Sequence, residues 1–203
     1  MRRTRVVVVL AGAVAAWCAA ALAVMAGPAA GAVARADSWG KAIEVPGLAR
    51  LSAGHGGTLV AVSCSSRGDC AAAGNYDNRS GHGQAYVVSE KNGSWGNAIE
   101  VPGLAALNVG GNANVESVSC GQARYCAAGG TYRDGSGHQQ AFVVSDINGA
   151  WGTAIEVPGS AALNTGGSAQ VTSVSCASAR YCAAGGYYLT SSGDDEAFVV
   201  SRT

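Results

Sequence analysis

The sequence predicts an all-β protein made of three tandem blade-like repeats, each of four short strands. Three observations predict this class. Trp39, Trp95 and Trp151 stand 56 residues apart, and the same spacing relates Cys64, Cys120 and Cys176, and Cys70, Cys126 and Cys182. Aligned without gaps over 39–89 and its two successors, 25 of 51 positions are identical in all three copies. Short strand-like runs are divided by Gly, Pro and Asn turns, and no run beyond residue 36 has helical period and length. A fixed period of this size marks a solenoid, a propeller or a pseudo-symmetric barrel.

In chain order, the first element is an export segment over residues 1–36. Arg2, Arg3 and Arg5 precede a stretch from Val6 to Ala34 with no charged residue. Ala34-Arg35-Ala36 offers a cleavage site before Asp37, and Ala30-Gly31-Ala32 offers another. The stretch is long enough to span a bilayer, which takes about 20 residues, so an uncleaved anchor with its arginines inside is the rival reading. Gly27-Pro28 breaks the run where a signal core ends, which favours removal. Cys18 lies in mid-run without a lipobox-like context. Either way the remainder is expected outside the cytoplasm. The whole chain balances 13 basic against 13 acidic residues, and loss of the leader leaves 9 against 13, a net charge of −4. A mildly acidic domain is not built to displace counterions from phosphates, which excludes a general nucleic-acid binder. A membrane is a partner only if the leader is retained.

The domain at 37–203 then divides into repeats at 39–94, 95–150 and 151–203. In the middle repeat, Trp95–Val101 alternates, with Trp95, Asn97, Ile99 and Val101 expected on one face. Pro102-Gly103 ends it, and a polar Gly/Asn/Ala stretch follows. Val115–Cys120 is the second strand. Cys126–Tyr132 is the third, and its Ala and Gly content requires close approach by a neighbouring sheet. Asp134-Gly-Ser-Gly137 is a turn, Ala141–Ser145 the fourth strand, and Asn148-Gly149 a hairpin into the next Trp run. Four strands per repeat suit a propeller blade, or alternatively a β-trefoil-like barrel of three repeats. Three blades are too few for a closed ring. The domain opens on a Trp strand and closes on the other three, so the first strand could complete the last sheet, in trans, within a six-bladed homodimer.

Six cysteines allow 15 connectivities. Repeat symmetry selects Cys64–Cys70, Cys120–Cys126 and Cys176–Cys182, each facing across a short hairpin. Each such closure contributes about 2–2.5 kcal/mol on the chain-entropy relation. Zinc is the poorer alternative, because three histidines are out of register with three cysteine pairs. No metal site and no cofactor is expected.

The blocks Trp-Gly-x-Ala-Ile-Glu-Val-Pro-Gly, Ser-Val-Ser-Cys, Cys-Ala-Ala-Gly-Gly and Gln-Ala-Phe-Val-Val-Ser resemble secreted repeat proteins of actinobacteria over nearly all of 39–203. Asn92-Gly93-Ser94-Trp95 and Asn148-Gly149-Ala150-Trp151 are similar to hairpin turns of sialidase-like propellers, without their Ser-x-Asp-x-Gly pattern. Varying repeat number in the first family implies a blade-like unit. The resemblance implies no activity.

Catalytic residues are not apparent. Ser63, Ser119 and Ser175 lack a nucleophile elbow and a repeating His/Asp partner. Glu44, Glu100 and Glu156 could ring a cation, but a strand glutamate paired to a basic residue or to backbone amides is the expected reading. His82, His138, His55, Arg124, Arg180 and the acidic Asp194-Asp195-Glu196 are expected to be solvated turn residues. Tyr76, Tyr132 and Tyr188, with Tyr187 beside the last, are candidate binding residues, since a phenol ring stacks on a sugar. The loops 77–83, 133–139 and 189–195 vary most between copies. The expected function is therefore a non-catalytic secreted or cell-surface module for carbohydrate or protein binding. A remnant of a propeller-type glycan-processing enzyme and a purely structural envelope protein are the alternatives.

Overall fold

The three repeats supply three antiparallel sheets, the first two of which also take up the Trp run of the following repeat, in a computed structural model that describes residues 39–202. The expected leader and Cys18 lie outside the described residues. Ala42–Thr203 form one compact unit, to which the following refers. A one-turn helix, α1 (Leu48–Leu51), precedes β1 (Gly57–Ser66), β2 (Asp69–Asp77) and β3 (Gly83–Lys91), which make the first sheet. The two short strands β4 (Ser94–Trp95) and β5 (Ile99–Glu100) both pair with β3. The second sheet repeats this plan after α2 (Leu104–Leu107), with β6 (Ala113–Gln122), β7 (Tyr125–Arg133), β8 (Gln139–Ile147), β9 (Ala150–Trp151) and β10 (Ile155–Glu156). The third follows α3 (Ser160–Leu163) and holds only β11 (Ala169–Cys176), β12 (Cys182–Leu189) and β13 (Asp195–Arg202). No barrel closes among the described residues, and the sheets stay separate.

Two expectations need correction. The Trp run is not a continuous strand with Trp95, Asn97, Ile99 and Val101 on one face. It is broken between Trp95 and Ile99, because the Ala98 N–H leaves the ladder to donate to the Pro46 carbonyl at 2.7 Å; Ala154 does the same to Pro102. Ala98 and Val101 are buried as a result, while Ile99 is half exposed. The polar stretch after Pro-Gly also contains a single helical turn in every repeat. Gly47, Gly103 and Gly159 start it at φ near +80°, a conformation that glycine adopts without a Cβ penalty.

The hairpins follow their sequences. Asn92-Gly93 and Asn148-Gly149 take positive φ at both residues, as a two-residue turn between twisted strands demands. All three disulfides join the expected partners directly opposite each other in the ladder. The two glycines of β7 serve two purposes. A Cβ at Gly129 would press on Val171 of the third sheet, which is the close approach the composition predicted. A Cβ at Gly130 would instead strike the Asn114 carbonyl oxygen of its own sheet, where β6 bulges between Val115 and Ser117.

The sheets stack face to face. One core lies between the first and second, with Ala73, Val87, Val115 and Phe142 at its centre, and another between the second and third around Val171 and Phe198. The far face of the first sheet is only partly covered, by Val45, Leu48 and Leu51 of its own leading segment.

Candidate polar groove at the loop end

The varied loops share one frame. Asn78 Oδ1 accepts the backbone N–H groups of Ser80 (2.9 Å) and His82 (3.1 Å), and Asp134 Oδ1 accepts those of Ser136 (2.8 Å) and His138 (2.9 Å). In the third loop Thr190 Oγ1 takes the Asp194 N–H at 3.2 Å. Each loop then passes through a glycine of positive φ, at Gly81, Gly137 and Gly193. A fixed backbone thus displays different side chains at three equivalent places.

Between the first and second sheets the first of these loops, through Asp77 and Gly83, borders an open groove of about 320 Å³. His55, Thr58, Asn75, Asp77 and Asn114 supply its polar lining, and Tyr76 forms part of its wall. Local sequence explains why it opens here. Gly56, Gly57 and Gly83 bring no side chains to the groove. At the next junction the place of Gly83 is taken by Gln139, whose amide reaches Gln170 at 3.5 Å, and Thr131 Oγ1 donates to the Ala169 carbonyl at 3.2 Å. Asn75 also ties the two sheets together, its Oδ1 accepting the Val115 N–H at 2.7 Å.

The four candidate tyrosines divide into two pairs. Tyr76 and Tyr132 are only 4% and 3% exposed, so neither ring offers a face to a ligand. Their hydroxyls donate to Glu100 Oε2 (2.9 Å) and Glu156 Oε2 (3.2 Å). Burial first, and the adjacent carboxylate second, push both phenols well above the usual tyrosine range. Tyr187 and Tyr188 in the last sheet keep free surface, and Tyr187 donates to Gln170 Oε1 at 3.3 Å. Glu100 and Glu156 therefore pair with tyrosine hydroxyls, rather than with the basic or backbone partners expected, while Glu44 is exposed. No group of three or more His, Cys, Asp or Glu residues is placed to hold a metal among the described residues.

Several of the other singled-out residues have scaffold contacts. Ser63 and Ser119 accept the N–H groups of Cys120 and Cys176, each at 3.0 Å, stitching one sheet to the next. Arg124 occupies a positive-φ turn position (φ 65°) where the first repeat has Gly68 (φ 78°), and it donates to the Asn148 carbonyl at 2.8 Å. His82 and His138 are exposed, with their rings over Gly111 and Gly167, where a Cβ would crowd them. His55 is exposed at the groove.

One residue escaped the sequence reading. Asp146 is a buried carboxylate with one oxygen unpartnered. Burial raises its pKa, opposed by the Gly149 and Ala150 amides and by Lys91 and Arg124. Its counterparts are Glu90 and Arg202, so the repeat gave no signal for it.

No protein-family model and no curated protein matches this chain.

Proposed function

We propose that the chain is an exported, non-catalytic binding module of propeller-type blades, which holds a carbohydrate at the loop end between its first two sheets. The observation that carries this reading is the groove itself. It is open, about 320 Å³ in volume, and lined by a hydroxyl, two amides, a carboxylate and an imidazole from three chain segments. Sugars present many hydroxyls at fixed spacing, and a rigid wall of mixed donors and acceptors can satisfy them without being charged throughout. The disulfides suit an oxidising exterior, and among the described residues no helix is long and apolar enough to cross a membrane.

A glycan array, followed by titration of the best ligand by calorimetry, tests the reading. Saturable binding that falls at least tenfold in both Asp77→Ala and Thr58→Val supports it. Absence of binding across the array, or binding indifferent to both substitutions, overturns it, and retention of a protein from the producing cell's surface would move the module to the protein-binding class.

A further inference from the structure

The ends of the stack lack the neighbours that the repeat provides everywhere else. Trp95 and Ile99 lie on β3, and Trp151 and Ile155 lie on β8, in the same register; on β13 no such segment lies among the described residues. Meanwhile the chain carries the matching sequence once more, at Trp39-Gly-Lys-Ala-Ile-Glu-Val45, where residues 42–45 join no strand ladder among the described residues. Ala98 and Ala154 are only 2% and 3% exposed, yet their counterpart Ala42 is exposed. Val199 is 89% exposed where Val87 is wholly buried.

We propose that residues 39–45 of a second copy add to β13, and that two chains close head to tail into a ring of six sheets. Continuing the period beyond the third repeat sets Ile43 of the second copy opposite Val199, and Glu44 opposite Phe198, as Ile155 faces Val143 and Glu156 faces Phe142. Glu44 then meets the Tyr188 hydroxyl, completing the pair already formed by Tyr76 with Glu100 and by Tyr132 with Glu156. The Trp151 indole N–H donates to Ser89 Oγ at 3.0 Å, between the first two sheets. The equivalent serine, Ser145, lines an apolar cleft of about 170 Å³ between the second and third sheets, and this is the place the period assigns to Trp39 of the second copy.

The faces agree with the edge. Val115 and Val118 of β6 are buried against the first sheet, whereas Leu59 and Val62, at the same positions of β1, are half exposed or more. The free face of the third sheet bears Val199 and Ala183, whose counterparts in the first sheet are buried. At this junction alone the loop pair changes in a complementary way. Where His82 lies over Gly111 and His138 over Gly167, the corresponding residues are Asp194 and, on the second copy, His55. A contact that buries the same patch types at each step and returns on itself leaves no sheet face uncovered and only short, protected edges, as in rings of about four to eight blades.

Sedimentation equilibrium of the exported protein, with the reciprocal variants Ile43→Asp and Val199→Asp, decides the matter. The expected wild-type mass is that of two chains. Each variant alone is expected to sediment as one chain, with its three disulfides and a cooperative melt intact. An equimolar mixture of the two is expected to regain the two-chain mass, because it still offers one sound head and one sound tail. A monomeric wild type, a mass of three chains or more, or variants that stay paired or fail to recombine while remaining folded would each overturn the proposal.

Discussion

The second and third sheets carry almost the same residues in the same register, yet only the second is covered on both faces. Tyr132 is buried with its hydroxyl on Glu156, while Tyr188 keeps free surface and finds no such carboxylate among the described residues. Phe142 is wholly buried, and Phe198 retains some exposure. The comparison teaches that burial here belongs to the junction between sheets, not to the repeat. One sheet supplies half of a core, and the next sheet with its Trp segment supplies the other half. A repeat of this kind cannot bury its own apolar face, so its stability is shared with its neighbours.

The largest contrast is expected in the aromatic core. Phe142→Ala should cost about 3–5 kcal/mol, the usual range for emptying a packed phenylalanine site. Phe198→Ala should cost less, because part of its surroundings is missing and the site can relax toward solvent. Urea unfolding in the Ile43→Asp background, where copies are kept apart, measures both. Equal costs would break the comparison and show that each sheet is stable independently of its flanks.

A smaller effect is expected at the tyrosine hydroxyls. Tyr132→Phe leaves the half-buried Glu156 without its donor, and hydrogen bonds to charged groups contribute about 1.5–3 kcal/mol. In the same Ile43→Asp chains, Tyr188→Phe should change stability by less than about 0.5 kcal/mol, as an unpartnered site does. If Tyr188→Phe costs as much as Tyr132→Phe there, its hydroxyl has a partner within its own chain.

Much of this was legible in the sequence, and what was not has definite causes. The period fixes three copies of one sheet, and facing cysteines six residues apart fix the hairpins that the disulfides close. The strands from Val115 to Ser145 were readable because their turns are spelled in Asn, Asp and Gly. The Trp run misled because its alternation is that of a strand, whereas Ala98 and Ala154 spend their N–H groups on the preceding repeat's proline carbonyls. Such a contact crosses a whole repeat and leaves no local mark. The tyrosine–glutamate pairs did leave one: Tyr76 and Glu100, and Tyr132 and Glu156, recur at a constant separation of 24 residues. The groove was not legible, since it depends on Gly56, Gly57 and Gly83 meeting in space from two separate segments of the chain.

The smallest effect concerns the one buried charge that only the middle sheet possesses. Asp146 sits where the first repeat has Glu90 and the third has Arg202. Burial holds its carboxyl above the usual range, against the pull of two turn amides, Lys91 and Arg124. A carboxyl raised in the folded state binds its proton more tightly there than when unfolded. Its contribution is therefore fully present below the unfolded value near about 4 and is lost as pH climbs through the folded one. Asp146→Asn keeps an oxygen for the Gly149 amide and removes the ionisation. The variant should match wild type at low pH and equal or exceed it near neutrality, by less than about 1 kcal/mol. Denaturant midpoints followed across the acidic-to-neutral range would show it as a flatter profile. A variant much weaker than wild type at neutral pH would mean that the charge is needed to hold Lys91 and Arg124 beside the turn.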